Sequence, residues 1–576
     1  RYLGSYSLDI KLPVDGLKFR SNLGLDARTV QDYEFWSAKT SNRGMGTSYA
    51  KNAVDKYTMF TLENMLFYDK TFNDKHTLGV TLLQSIQEDK RESVNVAMEN
   101  LPADNLKYYD LGSGLVTNTI GSSMVKWNMA SFMGRINYNY LGRYLLTVSA
   151  RYDGSSRLAD GHKWVLFPSA ALAWRINEES FMSSTSGWLD NLKLRLGFGK
   201  TGNSAVDPYQ TKGTLSLIRY PFDNGGTPTI GYAPNAMANS LLTWETTDQW
   251  NLGIDFGVLR GRINGTIDLY MQNTHDLLLK RQLPVVSGFP DVLSNVGKTR
   301  NKGIEVSINS MNINSKDFQW TTDLMLSSNK EEIVELYNGK NDDIGSKWFI
   351  GQPVNVHYDY RKVGIWQNTE SDLAEMAKFA ANGTEFAPGD IKIQDVNGDY
   401  KITDADKQIL GNPRPKLIAS MVNTFNYKGF DLSVFLYASF GAMLYNDIYA
   451  LEHCGRNGGV KVDYWTPNNP TNAYPRPSID EERPIYITST YYEKADFLRV
   501  KTMTLGYTLP KTLTNKFLVE KLRVYFTAQN PFIFTNYTGI DPEAAKVNSA
   551  GNPETNGSGF GTPSVSSWIF GINLTL

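Results

Sequence analysis

Cysteine is all but missing from this chain. One residue, Cys454, stands among 576, so no internal disulfide can form and the redox compartment cannot be read from pairing; a buried or loop thiol is the plain reading. Net charge is nearly missing too. Lys and Arg number 58 against 59 Asp and Glu, a formal −1, and nothing in that balance asks for nucleic acid as a partner. Long apolar runs are absent: no stretch approaches the ~18 consecutive residues of a membrane-spanning helix, which excludes a helical membrane protein. There is no initiator Met, charged n-region or apolar h-region, because the chain opens RYLGSYSLDI inside an alternating segment; a leader is expected in a part of the protein preceding it. No Pro/Ser-rich linker divides the sequence, so a single large architecture is expected.

What the chain has is alternation, 12% aromatics and 48 glycines. Residues 131–152 read SFMGRINYNYLGRYLLTVSARY. In an extended chain Phe132, Ile136, Tyr138 and Tyr140 fall on one face, and Met133, Arg135, Asn137 and Asn139 on the other. After a tight turn at Leu141-Gly142 the pattern resumes with Tyr144, Leu146, Val148, Ala150 and Tyr152, which reads as one hairpin. The same period returns at Trp250–Val258, Ile304–Ile308 and Leu522–Ala528, giving about 17 strands in all. Short connections at Pro13-Gly16, Leu141-Gly142, Leu259-Gly261 and Lys428-Gly429 alternate with long polar loops near 88–130, 200–242, 328–415, 441–496 and 530–566.

A soluble sandwich or propeller would alternate as well, and polarity of the second face decides nothing, since bulk water and a wet lumen both demand it. The unequal connections do decide. Short turns on one side and long loops on the other belong to a membrane barrel separating two aqueous compartments. Tyr138, Tyr140, Tyr144 and Tyr152 near strand ends suit interfacial girdles. The closing SSWIFGINLTL puts Trp568, Phe570, Ile572, Leu574 and Leu576 on one face, like the terminal insertion signal of outer-membrane barrels, although the last residue is Leu576 and not an aromatic.

Several stretches, in order along nearly the whole chain, resemble the SusC/RagA family of TonB-dependent outer-membrane transporters of Bacteroidetes. They include GRINYNYLGRYLLTVSARYDGSSRL, FPSAALAWRINEESF, LRLGFGKTGNSAVDPY, WETTDQWNLGIDF, NVGKTRNKGIEVSI, PGDIKIQDVNGDYKITDADKQILGNPRPK, ADFLRVKTMTLGYTLP and NPFIFTNYTGIDPE. The resemblance implies an all-β fold, a transmembrane antiparallel barrel of about 22 strands. About 17 would lie in this chain, and the N-terminal plug, the TonB box and the first strands would lie ahead of it. An open sheet in lipid would leave edge N–H and C=O groups unpaired, so some polypeptide must close it. The resemblance further implies a Gram-negative outer membrane, a SusD-like lipoprotein lid, coupling to the TonB complex, and uptake of an oligosaccharide or peptide. A passive porin and a calcium-dependent β-rich surface adhesin are the rival readings.

One loop looks like chemistry. In DVNGDYKITDAD the oxygens of Asp395, Asn397 and Asp399, the Lys401 carbonyl, Thr403 and Asp406 fall at the spacing of an EF-hand-type Ca²⁺ loop. Tyr400 sits where Gly usually permits the sharp turn, and Asp406 replaces the longer bidentate Glu. A hydrogen-bonded, metal-free Asx loop is the alternative. No catalytic residue is expected: His76, His162, His275, His357 and His453 show no paired zinc spacing, and GKTGNS at 199–204 lacks the Walker spacing. Trp366, Tyr445, Tyr449, Trp465, Tyr491 and Tyr492 are candidates for substrate or lid contacts, and equally for packing loop on loop.

Overall fold

The computed structural model describes the chain apart from residues 45, 223–228, 447–460, 479–482, 515, 517–518 and 544–563, and the side chain at 285. Seventeen long strands join in one antiparallel sheet, as the alternation predicts, and five two-stranded sheets lie in the connections. The residues group into two compact units. One comprises Arg1–Glu179, Leu194–Asn251 and Gln272–Lys298; the other comprises Ser180–Lys193, Leu252–Met271 and Thr299–Leu576.

In the first unit β1 (Tyr2–Lys11), β2 (Leu17–Trp36), β3 (Tyr49–Phe72), β4 (His76–Glu99), β5 (Val116–Tyr140), β6 (Tyr144–Ser155) and β7 (Trp164–Arg175) run as a meander. Each pairs antiparallel with the next. The β5–β6 turn places Leu141 and Gly142 at φ 56° and 69°, a left-handed pair within the three residues that separate the paired Tyr140 and Tyr144. Asn139 Oδ1 accepts the Gly142 N–H at 2.8 Å and closes it.

The pleat then sorts side chains. Leu82, Ile86, Phe132, Ile136, Leu146, Val148, Leu166 and Leu172 stand exposed on one face, a contiguous apolar surface that water would not tolerate and lipid would. Aromatic rows bound it. His76, Tyr140, Tyr144 and Trp174 stand side by side at one end, with ring centroids 4.9–6.4 Å apart. At the other end Tyr152 and Phe132 flank Trp164 at 5.0 and 6.3 Å. Phe132 and Tyr140 are separated by roughly 26 Å of strand at ~3.3 Å per residue, near the ~25 Å apolar band of outer-membrane barrels. The opposite face is polar and self-paired: Arg20 Nε donates to Asp9 at 2.7 Å, Arg151 Nε to Asp153 at 2.7 Å, and Thr147 Oγ1 to Asn137 at 2.9 Å.

The long loops are shorter than the sequence suggests. Residues 88–130 are mostly strand, since β4 continues to Glu99 and β5 begins at Val116. Past the apolar band the outward face turns to Glu88, Lys90 and Glu92, so the hydrophobic period fades. The backbone ladder, running from Phe72 opposite His76 to Tyr49 opposite Glu99, holds the strand regardless. Likewise 200–242 contains a hairpin of Thr214–Tyr220 with Thr229–Ala236. Strands extend to Glu335 and Thr535, into two further expected loops.

In the second unit Phe318–Glu335, Leu417–Tyr427, Phe430–Phe440, Phe497–Thr508, Lys521–Thr535 and Ser567–Thr575 pair in turn. Trp568, Phe570, Ile572 and Leu574 project from the last strand, 55–81% exposed. On the other face Arg523 Nε donates to Asp431 at 2.8 Å. That pair occupies the space a side chain at Gly506 would need.

Candidate binding surface in the long loops

The segments 336–416 and 461–496 of the second unit fold on themselves. His357–Tyr360 pairs with Lys407–Gly411, Lys362–Ile365 with Ile391–Ile393, and Met443–Tyr445 with Tyr492–Lys494. Helix α1 (Glu370–Ala381) starts at Thr369, whose hydroxyl caps the Asp372 N–H at 3.3 Å; Glu370 and Asp372 complement the dipole in its first turn. Met376 and Phe379, three residues apart, bury one face of α1 against Trp366. Phe379 meets Trp366, Phe386 and Tyr400 edge-on at 5.4–5.9 Å. A second core of Ile365, Ile391, Ile393, Trp465, Ile487 and Tyr491 adjoins it.

Three of the expected contact aromatics thus lie inside. Trp366 is 0% exposed, Tyr491 2% and Trp465 6%, and Trp465 Nε1 donates to Gln367 at 2.9 Å. Tyr445 packs edge-on against Tyr491 and Tyr492 at 5.7 and 5.2 Å. The Tyr492 hydroxyl donates to Asp359 at 3.0 Å, and burial first, then that carboxylate, pushes its pKa up. Tyr449, with His453 and Cys454, lies outside the described residues. The loops are therefore built on Trp366, Trp465 and Tyr491, while Tyr445 and Tyr492 are half-buried. A cavity of about 640 Å³, within the range of ligand sites, is lined by Phe386, Asp390, Ile402, Arg476, Ile485 and Tyr486. Arg476 Nε donates to Asp390 at 2.8 Å on its wall. Sequence reading missed these residues, because a sparse Phe, Arg and Tyr in unpatterned loops carry no period to follow.

Asp395–Asp406 is closed by hydrogen bonds. Asp395 accepts the Gly398 and Tyr400 N–H groups at 2.7 and 2.8 Å, Asp399 accepts Lys401 N–H at 2.8 Å, and Asn397 bonds to Asp399. Asp406, fully buried, accepts from the Val396 and Thr403 N–H groups at 2.9 and 2.8 Å. Tyr400 takes φ 56°, the left-handed conformation usually left to Gly. The first and twelfth carboxylates thus each accept backbone N–H groups, which gives the loop the hydrogen bonding of an Asx loop. Among the described residues no group of three or more His, Cys, Asp or Glu is placed to hold a metal. His357 is buried, with Nε2 2.8 Å from the Met443 carbonyl, and burial lowers its pKa.

Residues 2–530 match the family model described as TonB dependent receptor-like, beta-barrel. The chain belongs to the TonB-dependent receptor barrel family. It is an outer-membrane protein of a Gram-negative bacterium and a relative of SusC. It is 32% identical to TonB-dependent receptor P3 of Formosa agariphila over 97% of this chain and 56% of that protein. To TonB-dependent receptor SusC of Bacteroides thetaiotaomicron it is 35% identical over 72% of this chain and 41% of that one. Among solved structures, a chain of the RagAB peptide transporter superposes with a TM-score of 0.82 at 22% identity, covering 99% of this chain and 61% of that chain. This TonB-dependent receptor barrel thus spans little more than half the length of its P3 relative.

Proposed function

We propose that this receptor barrel forms the wall and outer loops of an importer that takes up an oligosaccharide or a peptide, coupled to TonB and lidded by a SusD-like surface lipoprotein. The observation that carries the reading is the division of each strand between an apolar, lipid-suited face and a face of paired ions, together with loops that fold around their own cores. A passive pore needs no such loop architecture. Packed loops around a cavity supply a surface on which a ligand and a lid can meet. Oligosaccharides are the first class to test and peptides the second.

The test is uptake of radiolabelled oligosaccharides and peptides by cells carrying the full-length protein, with and without TonB and the neighbouring lipoprotein. Uptake that stops when either is deleted supports import. Undiminished uptake without TonB would replace the reading with a passive pore.

A further inference from the structure

Strand β5 outlasts its neighbour. Its register with β6 begins at Met129 opposite Ser155, whereas its register with β4 continues out to Val116. Beyond β6 it is therefore paired on one side only, among the described residues. The first bonds past the end of β6 show which groups face the open side. Asn128 N–H donates to Ser156 Oγ at 2.9 Å, the Asn128 carbonyl accepts Ser156 N–H at 3.0 Å, and Lys126 N–H donates to the Tyr209 hydroxyl at 3.3 Å. Backbone groups of an antiparallel strand point alternately to its two neighbours. Those of Met124, Ser122 and Ile120 therefore also face the open side, where nothing described pairs with them.

Proteins blunt such edges with proline, charge or bulges. Here VTNTIGSSMVK holds no proline, its one charge is at the inner end, its bulge at Asn118 lies beyond Ile120–Met124, and residues 116–124 are all exposed. Ile120 and Met124 are 70% and 54% exposed, on the face that carries the apolar rows further down. At the inner end a cavity of about 580 Å³ is lined by Met124, Trp127, Lys163, Tyr209 and Lys212. The Arg157 guanidinium lies 4.0 Å over the Trp127 ring, and its buried Nε has no hydrogen-bond partner. Lys163 is paired with Asp160. Lys212 has no carboxylate within ion-pair distance among the described residues, Asp160 on the same wall lying farther off.

We propose that this edge binds an extended peptide by strand addition, with the peptide's acidic carboxyl end seated against Lys212 in that cavity. Backbone pairing supplies affinity with little regard to sequence, and alternate side chains of the guest join the Ile120–Met124 row. A glycan offers no alternating N–H and C=O groups at the ~3.3 Å strand rise, so the edge selects a polypeptide. The inference extends the import reading but rests on no transport step. It is measured by binding alone, so either can fail without the other.

The experiment uses the full-length protein in detergent and a fluorescein-labelled Thr-Val octapeptide ending in Asp with a free carboxyl terminus, read by anisotropy. Saturable binding is expected. N-methylation of alternate peptide amides weakens it at least tenfold in one register and spares it in the other. Ser122→Pro removes an edge-facing N–H without touching the ladder to β4, and weakens binding tenfold while heat-modifiable gel migration stays normal. Amidating the peptide terminus, or Lys212→Gln, costs several-fold. Absence of saturable binding, or equal affinity for the parent and both N-methylated registers, overturns the proposal. Should Ser122→Pro not fold, the N-methyl series on the unaltered protein decides.

Discussion

Arg499 shows how much a single side chain can hold. It lies with Asp541 at 4% side-chain exposure each and bonds to it at 2.5 Å; Glu543 bridges Arg499 and Lys501 at 2.6 and 2.7 Å. Lys501 is the extra residue of a bulge opposite the strand Phe430–Phe440, and its side chain reaches this cluster. Burial alone would raise the Asp541 pKa. The N–H groups of Glu543 and Ser564 and the Arg499 charge outweigh it and hold the carboxyl below its usual value. Removing one partner leaves a buried, uncompensated charge, so Arg499→Met should cost about 3–5 kcal/mol. The readout is a lower thermal midpoint and lost amide protection over residues 537–543. Lys362 behaves oppositely. Burial pushes its pKa down to about 8, while Nζ donates to the Ala473 carbonyl at 2.8 Å. The unfolded chain, titrating near ~10.4, holds more protons between those values, so stability rises with pH from about 8 to 10.4 and levels off below about 8, where both states are protonated. Lys362→Met should flatten that rise, as melts at pH 7 and pH 9.5 would register; an unchanged pH slope would discard the idea.

At the scale of elements, the 131–152 hairpin was legible because every second residue meets lipid and the turn carries Gly142. The outer halves of β4 and β5 were not. Beyond the apolar band both faces meet water, the period vanishes, and only the backbone ladder maintains the strand. The Asp395–Asp406 loop was legible as a spacing of oxygens, but spacing does not say where the oxygens point. With Asp395 and Asp406 accepting backbone N–H groups, calorimetric titration with Ca²⁺ is expected to give no heat and no added protection of the loop. A saturable one-to-one isotherm would restore the cation site. Asp406→Ala, by contrast, should destabilise the loop by about 1–3 kcal/mol whether or not calcium is present, because two N–H donors lose a charged acceptor.

At the scale of the whole molecule, lipid-suited and water-suited faces must stay on opposite sides of every strand. Phe570, 81% exposed on the strand Ser567–Thr575, belongs to the apolar face, so Phe570→Lys should cost roughly 2–4 kcal/mol if it sits near the bilayer midplane. Reduced heat-modifiable protein in the outer membrane would register it. The substitution Asn573→Lys, on the other face of the same strand, should be assembled normally. Equal loss from both would argue against two solvents.

The amino-acid order alone determined the strand count, the turn positions and the lipid face, because each is written in a local period or a short turn that needs no distant partner; the family showed in whole stretches that resemble it. Only the tertiary structure decided which aromatics are core, how the acidic loop spends its oxygens, where Arg499 finds Asp541, and that β5 keeps an open edge. Those outcomes depend on which groups from remote segments reach the same space first, and hydrogen bonding and burial settle that competition between residues that no local pattern connects.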